Sequence, residues 1–128
     1  MDNAEEKKKV LVIDDSFLIR RLQKEMLEKS NLSVIEASNG QEALDKITEH
    51  GIDNIAMISL DLVMPVMNGV EFLVKAKGLF PELPPLLICS SKADLELIKQ
   101  LAAFGIKGYL IKPIDPIQYI KKVKEIFP

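Results

Sequence analysis

Five polar residues end otherwise apolar runs in this chain. Asp14 and Asp15 follow Val10-Leu11-Val12-Ile13, Asp61 follows the run from Ile55 to Leu60, Ser90 follows Leu86-Leu87-Ile88-Cys89, and Lys112 follows Gly108 to Ile111. An Asp behind a strand is often only a turn residue, and a Ser or Lys there is unremarkable alone. Five at equivalent positions carry more weight. Three carboxylates brought into one pocket raise one another's pKa unless a cation neutralises them, so a metal ion or a lysine must answer them. Oxygen ligands without a nearby His or Cys select a hard divalent ion, Mg²⁺ first and Mn²⁺ as the alternative, held by a few carboxylates and several waters. The single histidine, His50, stands beside Gly51 at an expected helix end and reads as a solvated terminus. Such an ion beside carboxylates serves phosphoryl groups, whose spreading negative charge a lysine ammonium and a serine hydroxyl can also meet. One carboxylate is then left free as a nucleophile, because an aspartate can carry a phosphoryl group as an acyl phosphate.

The elements that must gather these residues follow from periodicity. Val10 to Ile13 is continuously apolar and β-branched, as in a strand covered on both faces. Ser16 can cap a helix with Ile19, Leu22, Met26 and Leu27 inward, which turns Arg20, Arg21, Lys24, Glu25 and Glu28 toward solvent. After a turn at Ser30-Asn31 come a short strand from Ser33 to Glu36 and a helix capped by Asn39, with Ala43, Leu44 and Ile47 inside. A strand from Ile55 to Leu60 precedes Pro65 and Asn68-Gly69, and then a helix carrying Val70, Phe72, Leu73 and Ala76 that stops near Gly78. The prolines from Pro81 to Pro85 keep helix out before the strand Leu86 to Cys89. A fourth helix with Leu95, Ile98, Leu101 and Ala102 closes near Gly105, the fifth strand is Gly108 to Ile111, and Asp115-Pro116 opens a last helix carrying Ile117, Ile120, Val123 and Phe127. Five repeats of strand then helix imply an α/β fold: a five-stranded parallel sheet between two helix layers, with right-handed crossovers. In such sheets ligands sit at the carboxyl ends of the strands, which is where the five polar residues fall.

With 128 residues, one domain is expected over 1–128, with its core from about residue 9 to 126. Seventeen Lys and Arg against nineteen Asp and Glu give a net charge of -2, and with no helix-turn-helix pattern this argues against direct nucleic-acid binding. Lys7-Lys8-Lys9 reads as a solvated lead-in to the first strand. The single Cys89, in an apolar run, reads as a buried hydrophobe, so no disulfide forms within the chain. A polar, acidic beginning and the absence of an 18-residue apolar run predict neither export nor membrane spanning, and a cytoplasmic location is expected.

Four segments together closely resemble the receiver domain of two-component response regulators. They are Val10 to Ser16, Asp61-Leu62-Val63-Met64-Pro65 with Asn68-Gly69, Leu86 to Ser91, and Gly108-Tyr109-Leu110-Ile111-Lys112-Pro113, and the resemblance covers nearly the whole chain. It implies a (βα)5 flavodoxin-like sandwich and a phosphorelay function. Asp14 and Asp15 then look like the acidic pair that binds Mg²⁺, Asp61 like the phosphoryl acceptor, and Val63 lends its backbone carbonyl to the metal. Ser90 matches the hydroxyl that contacts the phosphoryl group, and Lys112 the lysine whose bond to the following proline is cis in most members. Tyr109 matches the aromatic that turns inward in the active form as Ser90 shifts toward the phosphate; read blandly, it is a half-buried strand aromatic. Val63 and Lys92 occupy the positions that tune removal of the phosphate by water, and an apolar Val63 implies slow self-dephosphorylation. Departures from the usual pattern are Ser90 for threonine, Ser91 for a smaller residue and Ile114 for phenylalanine.

The implied partners are a histidine kinase or phosphotransfer protein upstream, and downstream a protein target, an effector domain attached in a longer protein, or a second copy in a phosphorylation-dependent dimer. Output is expected through the face formed by the fourth helix, fifth strand and fifth helix. A start at Met1 suggests an amino-terminal beginning, while Phe127-Pro128 fits either a complete single-domain regulator or an excised receiver. The implied chemistry is Mg²⁺-dependent phosphorylation and dephosphorylation of the chain's own aspartate, not substrate turnover. A haloacid-dehalogenase-like phosphatase would need an acid two residues beyond the nucleophile, where Val63 stands, and a cap. A nucleotide or flavin site would need a glycine-rich loop where Asp14-Asp15-Ser16 stands. The remaining alternative is a receiver-fold docking scaffold that works without phosphorylation.

Overall fold

The computed structural model of the chain describes residues 8–91 and 99–127. Its strands are β1 (Lys9–Ile13), β2 (Ser33–Ala37), β3 (Ile55–Leu60), β4 (Leu86–Ser90) and β5 (Ile106–Ile111). Between them run α1 (Phe17–Lys29), α2 (Gly40–His50) and α3 (Gly69–Leu79), and a C-terminal helix (Pro116–Ile126) completes the chain. Every described strand pair is parallel, in the order β2-β1-β3-β4-β5. This is the five-stranded α/β sheet that the sequence implies.

Helix starts follow local chemistry. The Ser16 side chain accepts from Ile19 N at 3.2 Å, Asn39 from Glu42 N at 2.8 Å, and Asp115 from Ile117 N at 2.9 Å, each meeting an otherwise orphaned amide. Asn68 forms a reciprocal capping box with Glu71 at the start of α3. Asn31 (φ 65°) turns the chain after α1.

Alternation along the strands supplies two cores, one on each face. Leu11, Ile13, Ile58 and Leu60 pack with Leu44, Ile47, Phe72 and Leu73 of α2 and α3. Val10, Val12, Met57, Leu87 and Cys89 pack with Leu27 of α1 and with Tyr119 and Val123 of the C-terminal helix. Burying a large aliphatic or aromatic side chain contributes roughly 1.5–3 kcal/mol, so both helix layers are held to the sheet largely by these contacts.

Two expectations change, and one buried polar residue was not foreseen. Arg20 does not face solvent: its side chain is 14% exposed and forms an ion pair with Glu36 of β2 at 3.1 Å. β5 begins at Ile106, two residues before Gly108, because this edge strand is only half covered and lacks a continuous apolar run. On α1 the polar Gln23 is buried, its Oε1 accepting from Ser59 Oγ at 2.6 Å and from the Tyr119 hydroxyl at 3.0 Å. Lys92, Leu95 and Ile98 lie outside the described residues. Leu101 is buried as expected, and Gly105 adopts φ 78°, a left-handed closing residue.

Candidate functional site

Ladder hydrogen bonds continue past the strand ends and so fix the site backbone. Asp14 N donates to Ala37 O at 3.1 Å, Asp61 N to Ile13 O at 2.9 Å, and Lys112 N to Ser90 O at 3.0 Å. Asp14, Asp61, Ser90 and Lys112 are therefore held along one edge of the sheet by main-chain geometry. The peptide between Lys112 and Pro113 is cis.

Carboxylate oxygens of Asp14, Asp15 and Asp61 lie within 4.8 Å of one another, Asp14 and Asp61 buried and Asp15 exposed. Lys112 Nζ reaches Asp14 Oδ2 at 2.7 Å and Asp61 Oδ2 at 3.5 Å. Asp14 Oδ1 accepts from Ser16 N at 2.9 Å, and Val63 N leans toward Asp61 Oδ1 at 3.4 Å. Burial, followed by the neighbouring Asp14 charge, pushes the Asp61 carboxyl above its usual range, and Lys112 and the Val63 amide offset this only in part. For Lys112 burial works against the charge, but its contacts with Asp14 and then Asp61 outweigh it and raise the pKa, so the ammonium stays charged.

One ammonium touching two of three clustered carboxylates leaves negative charge over. Buried Asp14 Oδ2 is paired by charge with Lys112 but lacks a well-aligned hydrogen bond, and it has capacity for a second cation. The all-oxygen donor set suits a hard divalent ion, so the cluster fits Mg²⁺ and the phosphoaspartate chemistry that depends on it.

Ser90 is fully buried at the end of β4, and Tyr109 is half-buried on β5 against the α2–α3 core. Val63 projects its side chain outward, 56% exposed, on the loop beyond Asp61. That loop is tightly drawn. Met67 N donates to Pro65 O at 2.7 Å across Val66, whose φ is +67°, which makes a γ-turn. At Gly69 an added Cβ would lie 2.6 Å from the Asp61 carbonyl oxygen, so only glycine lets α3 start this close to the end of β3.

Arg20, expected in solvent, and Glu36, expected only as a strand end, also border the site. Arg20 Nη1 donates to the Asp14 carbonyl at 2.7 Å while its Nε reaches Glu36 Oε1 at 3.1 Å. The available signal was Glu36, an acid inside a short strand that pairs with β1, Val12 opposite Glu36.

The profile of the response regulator receiver domain family matches residues 10–124. The chemotaxis protein CheY of Thermotoga maritima is 27% identical over 93% of this chain and 97% of its own length. The transcriptional regulatory protein SrrA of Staphylococcus aureus is 32% identical over 91% of this chain, which spans only 46% of SrrA. Among solved structures, a CheY-like receiver domain protein from Methanospirillum hungatei superposes with a TM-score of 0.82 at 29% identity, covering 93% of this chain and 92% of its own. The CheX-CheY-BeF3-Mg complex from Borrelia burgdorferi gives 0.85 at 26% identity, covering 94% and 89%. With nearly its whole length matched, and its acidic cluster and lysine gathered at the carboxyl edge of a parallel sheet, this chain belongs to the response regulator receiver domain family of two-component signal transduction.

Proposed function

We propose that Asp61 is the phosphoryl acceptor of a phosphorelay, with Asp14 and Asp15 as metal ligands, the Val63 backbone carbonyl completing that set, Ser90 and Lys112 as phosphoryl contacts, and Tyr109 with Ser90 as the switch. The observation that carries this reading is the meeting of three carboxylates and one lysine within a single small volume. As a receiver domain the chain is not a turnover enzyme, since the group it modifies is its own.

An Asp61 oxygen attacks the phosphorus of a phosphohistidine on a kinase or phosphotransfer protein. The new O–P bond forms as the N–P bond breaks, and the imidazole leaves with the bonding pair. A Mg²⁺ ion held by Asp14, Asp15 and Asp61 would supply positive charge to offset that on the transferring oxygens. Lys112 meets an oxygen from the opposite side, and the Ser90 hydroxyl donates to another once the group is in place. The downstream reader is a protein target, an attached effector or a second copy, engaged through β5, the C-terminal helix and the preceding segment, with the chain acting as one unit in the cytoplasm. No helix among the described residues is long and apolar enough to cross a membrane.

Incubation with Mg²⁺ and acetyl phosphate, followed by intact mass measurement, tests the acceptor. A gain of one phosphoryl group is expected, lost with chelator and lost in Asp61→Asn. No gain in the unsubstituted protein would favour the docking scaffold.

A further inference from the structure

The side chain of Arg20 joins three parts of the fold. It leaves the first turns of α1, donates from Nη1 to the Asp14 carbonyl at 2.7 Å in the β1–α1 connection, and pairs through Nε with Glu36 of β2 at 3.1 Å. Phe17 lies 5.8 Å from the guanidinium carbon, ring centroid to Cζ, and Lys24 places a second cation 3.7 Å from the other Glu36 oxygen. The guanidinium is thus fixed by charge, hydrogen bond and ring, with little surface exposed.

The position of that hydrogen bond matters more than its strength. The carbonyl of Asp14 belongs to the peptide plane that leads into Asp15, so the orientation of this plane decides where the Asp15 carboxylate points. Asp14 is otherwise held through its own N–H to Ala37 and by its side chain to Ser16 N and Lys112. The bonds to Ala37 and Lys112 hold Asp14 itself, the Ser16 N–H bond closes a turn across Asp15, and Arg20 adds the direct tie to the peptide oxygen between the two acids. The acidic pair is therefore one buried, anchored residue and one exposed residue whose direction depends on the peptide between them.

We propose that Arg20, anchored on Glu36, is a positioning residue that holds the Asp14–Asp15 peptide so that both carboxylates converge with Asp61 on the divalent cation. This rests on the metal-site reading above, and its test separates the two. Mg²⁺ affinity is measured by titration calorimetry, with the thermal midpoint of the metal-free protein recorded alongside, for the unsubstituted chain, Arg20→Ala, Arg20→Lys, Glu36→Gln and Arg21→Ala. Arg21, exposed and paired with Glu25 at 3.8 Å, removes the same formal charge from the same helix without touching Asp14. Removing the partner that orients a metal ligand weakens binding about 10- to 100-fold, so a rise in Kd of about tenfold is expected for Arg20→Ala. Arg20→Lys keeps the charge but cannot bridge both partners, and it should fall between Arg20→Ala and the unsubstituted protein. Glu36→Gln should weaken binding by a smaller factor, and Arg21→Ala should leave it unchanged. A lowered thermal midpoint with unaltered Mg²⁺ affinity in Arg20→Ala would make Arg20 a structural tie only and overturn the proposal. So would equal weakening by Arg20→Ala and Arg21→Ala, which would indicate lost charge and not lost aim. If Arg20→Ala does not fold, an unaltered affinity in Arg20→Lys and Glu36→Gln overturns it equally. Failure of the unsubstituted protein to bind Mg²⁺ would instead remove the metal site, and this proposal with it.

Discussion

Val63 turns its amide toward Asp61 while its isopropyl group stands in solvent at the mouth of the site. A side chain without donors or acceptors cannot order an attacking water. Val63→Asn is therefore expected to shorten the lifetime of the phosphorylated protein about three- to tenfold, the worth of roughly one hydrogen bond. Following the decay of the phosphorylated species checks this, and an unchanged rate would count against the role of position 63. At this scale the acids were legible because a carboxylate inside a two-sided strand is too costly to desolvate, so Asp14 and Asp61 had to mark strand ends. Arg20 and Gln23 were not legible. Helical periodicity sorts residues by polarity, and both are polar residues turned inward by partners in other segments, Glu36 for one and Ser59 with Tyr119 for the other.

Among the described residues, the loop from Asp61 to Gly69 holds the one β-branched residue at positive φ. Val66 is β-branched and yet holds φ +67°, a conformation that L residues with branching at Cβ almost never adopt, and with 81% exposure it gains no packing in return. The loop is nevertheless pinned at its far end. Gly40 N donates to Met67 O at 3.0 Å, and Gly69 N to Leu62 O at 2.9 Å. Val66→Gly should relieve the strain and raise stability by about 1 kcal/mol after the added freedom of the unfolded chain is subtracted. Urea unfolding measures it, and a loss of stability would mean that the turn is not strained. Pro65 and Asn68-Gly69 stood between strand and helix in the sequence without marking Val66, and Asn68-Gly69 begins the helix. Caps and central strands were readable because their signals are local. The early start of β5 was not, since a half-covered edge strand needs no apolar run.

Across the whole molecule, the strand order decides where the site forms. The order β2-β1-β3-β4-β5 makes β1 and β3 neighbours, and chain progression reverses between them, which opens the crevice into which Asp14, Asp15 and Asp61 project. Five strand–helix repeats announced the parallel sheet but not this order, which depends on how helix layers pack over both faces. The face shared by α1 and the C-terminal helix also carries a pH signature. Burial pushes the Cys89 thiol from 9.0 up to about 12 and raises the Tyr119 phenol above 10.0. Below pH 9 both groups hold their protons, folded or unfolded, and their contribution to stability is complete. As the pH climbs from 9 toward 12 the unfolded chain releases protons that the folded chain keeps, so stability falls, by at most about 1.4 kcal/mol per pH unit for each group. Urea midpoints at pH 8 and pH 10.5 should show this fall, and Cys89→Ala should make it shallower; an equally steep fall in that variant would contradict the assignment to Cys89.

The same burial has a practical side. Cys89 is the chain's single cysteine, and its sulfur, 3.7 Å from Ser59 Oγ, is closed off from reagents in the native fold. A second thiol introduced at an exposed position such as Ile117 would take a single dye or spin label while the native one stays silent, so that the unaltered chain serves as its own labelling background.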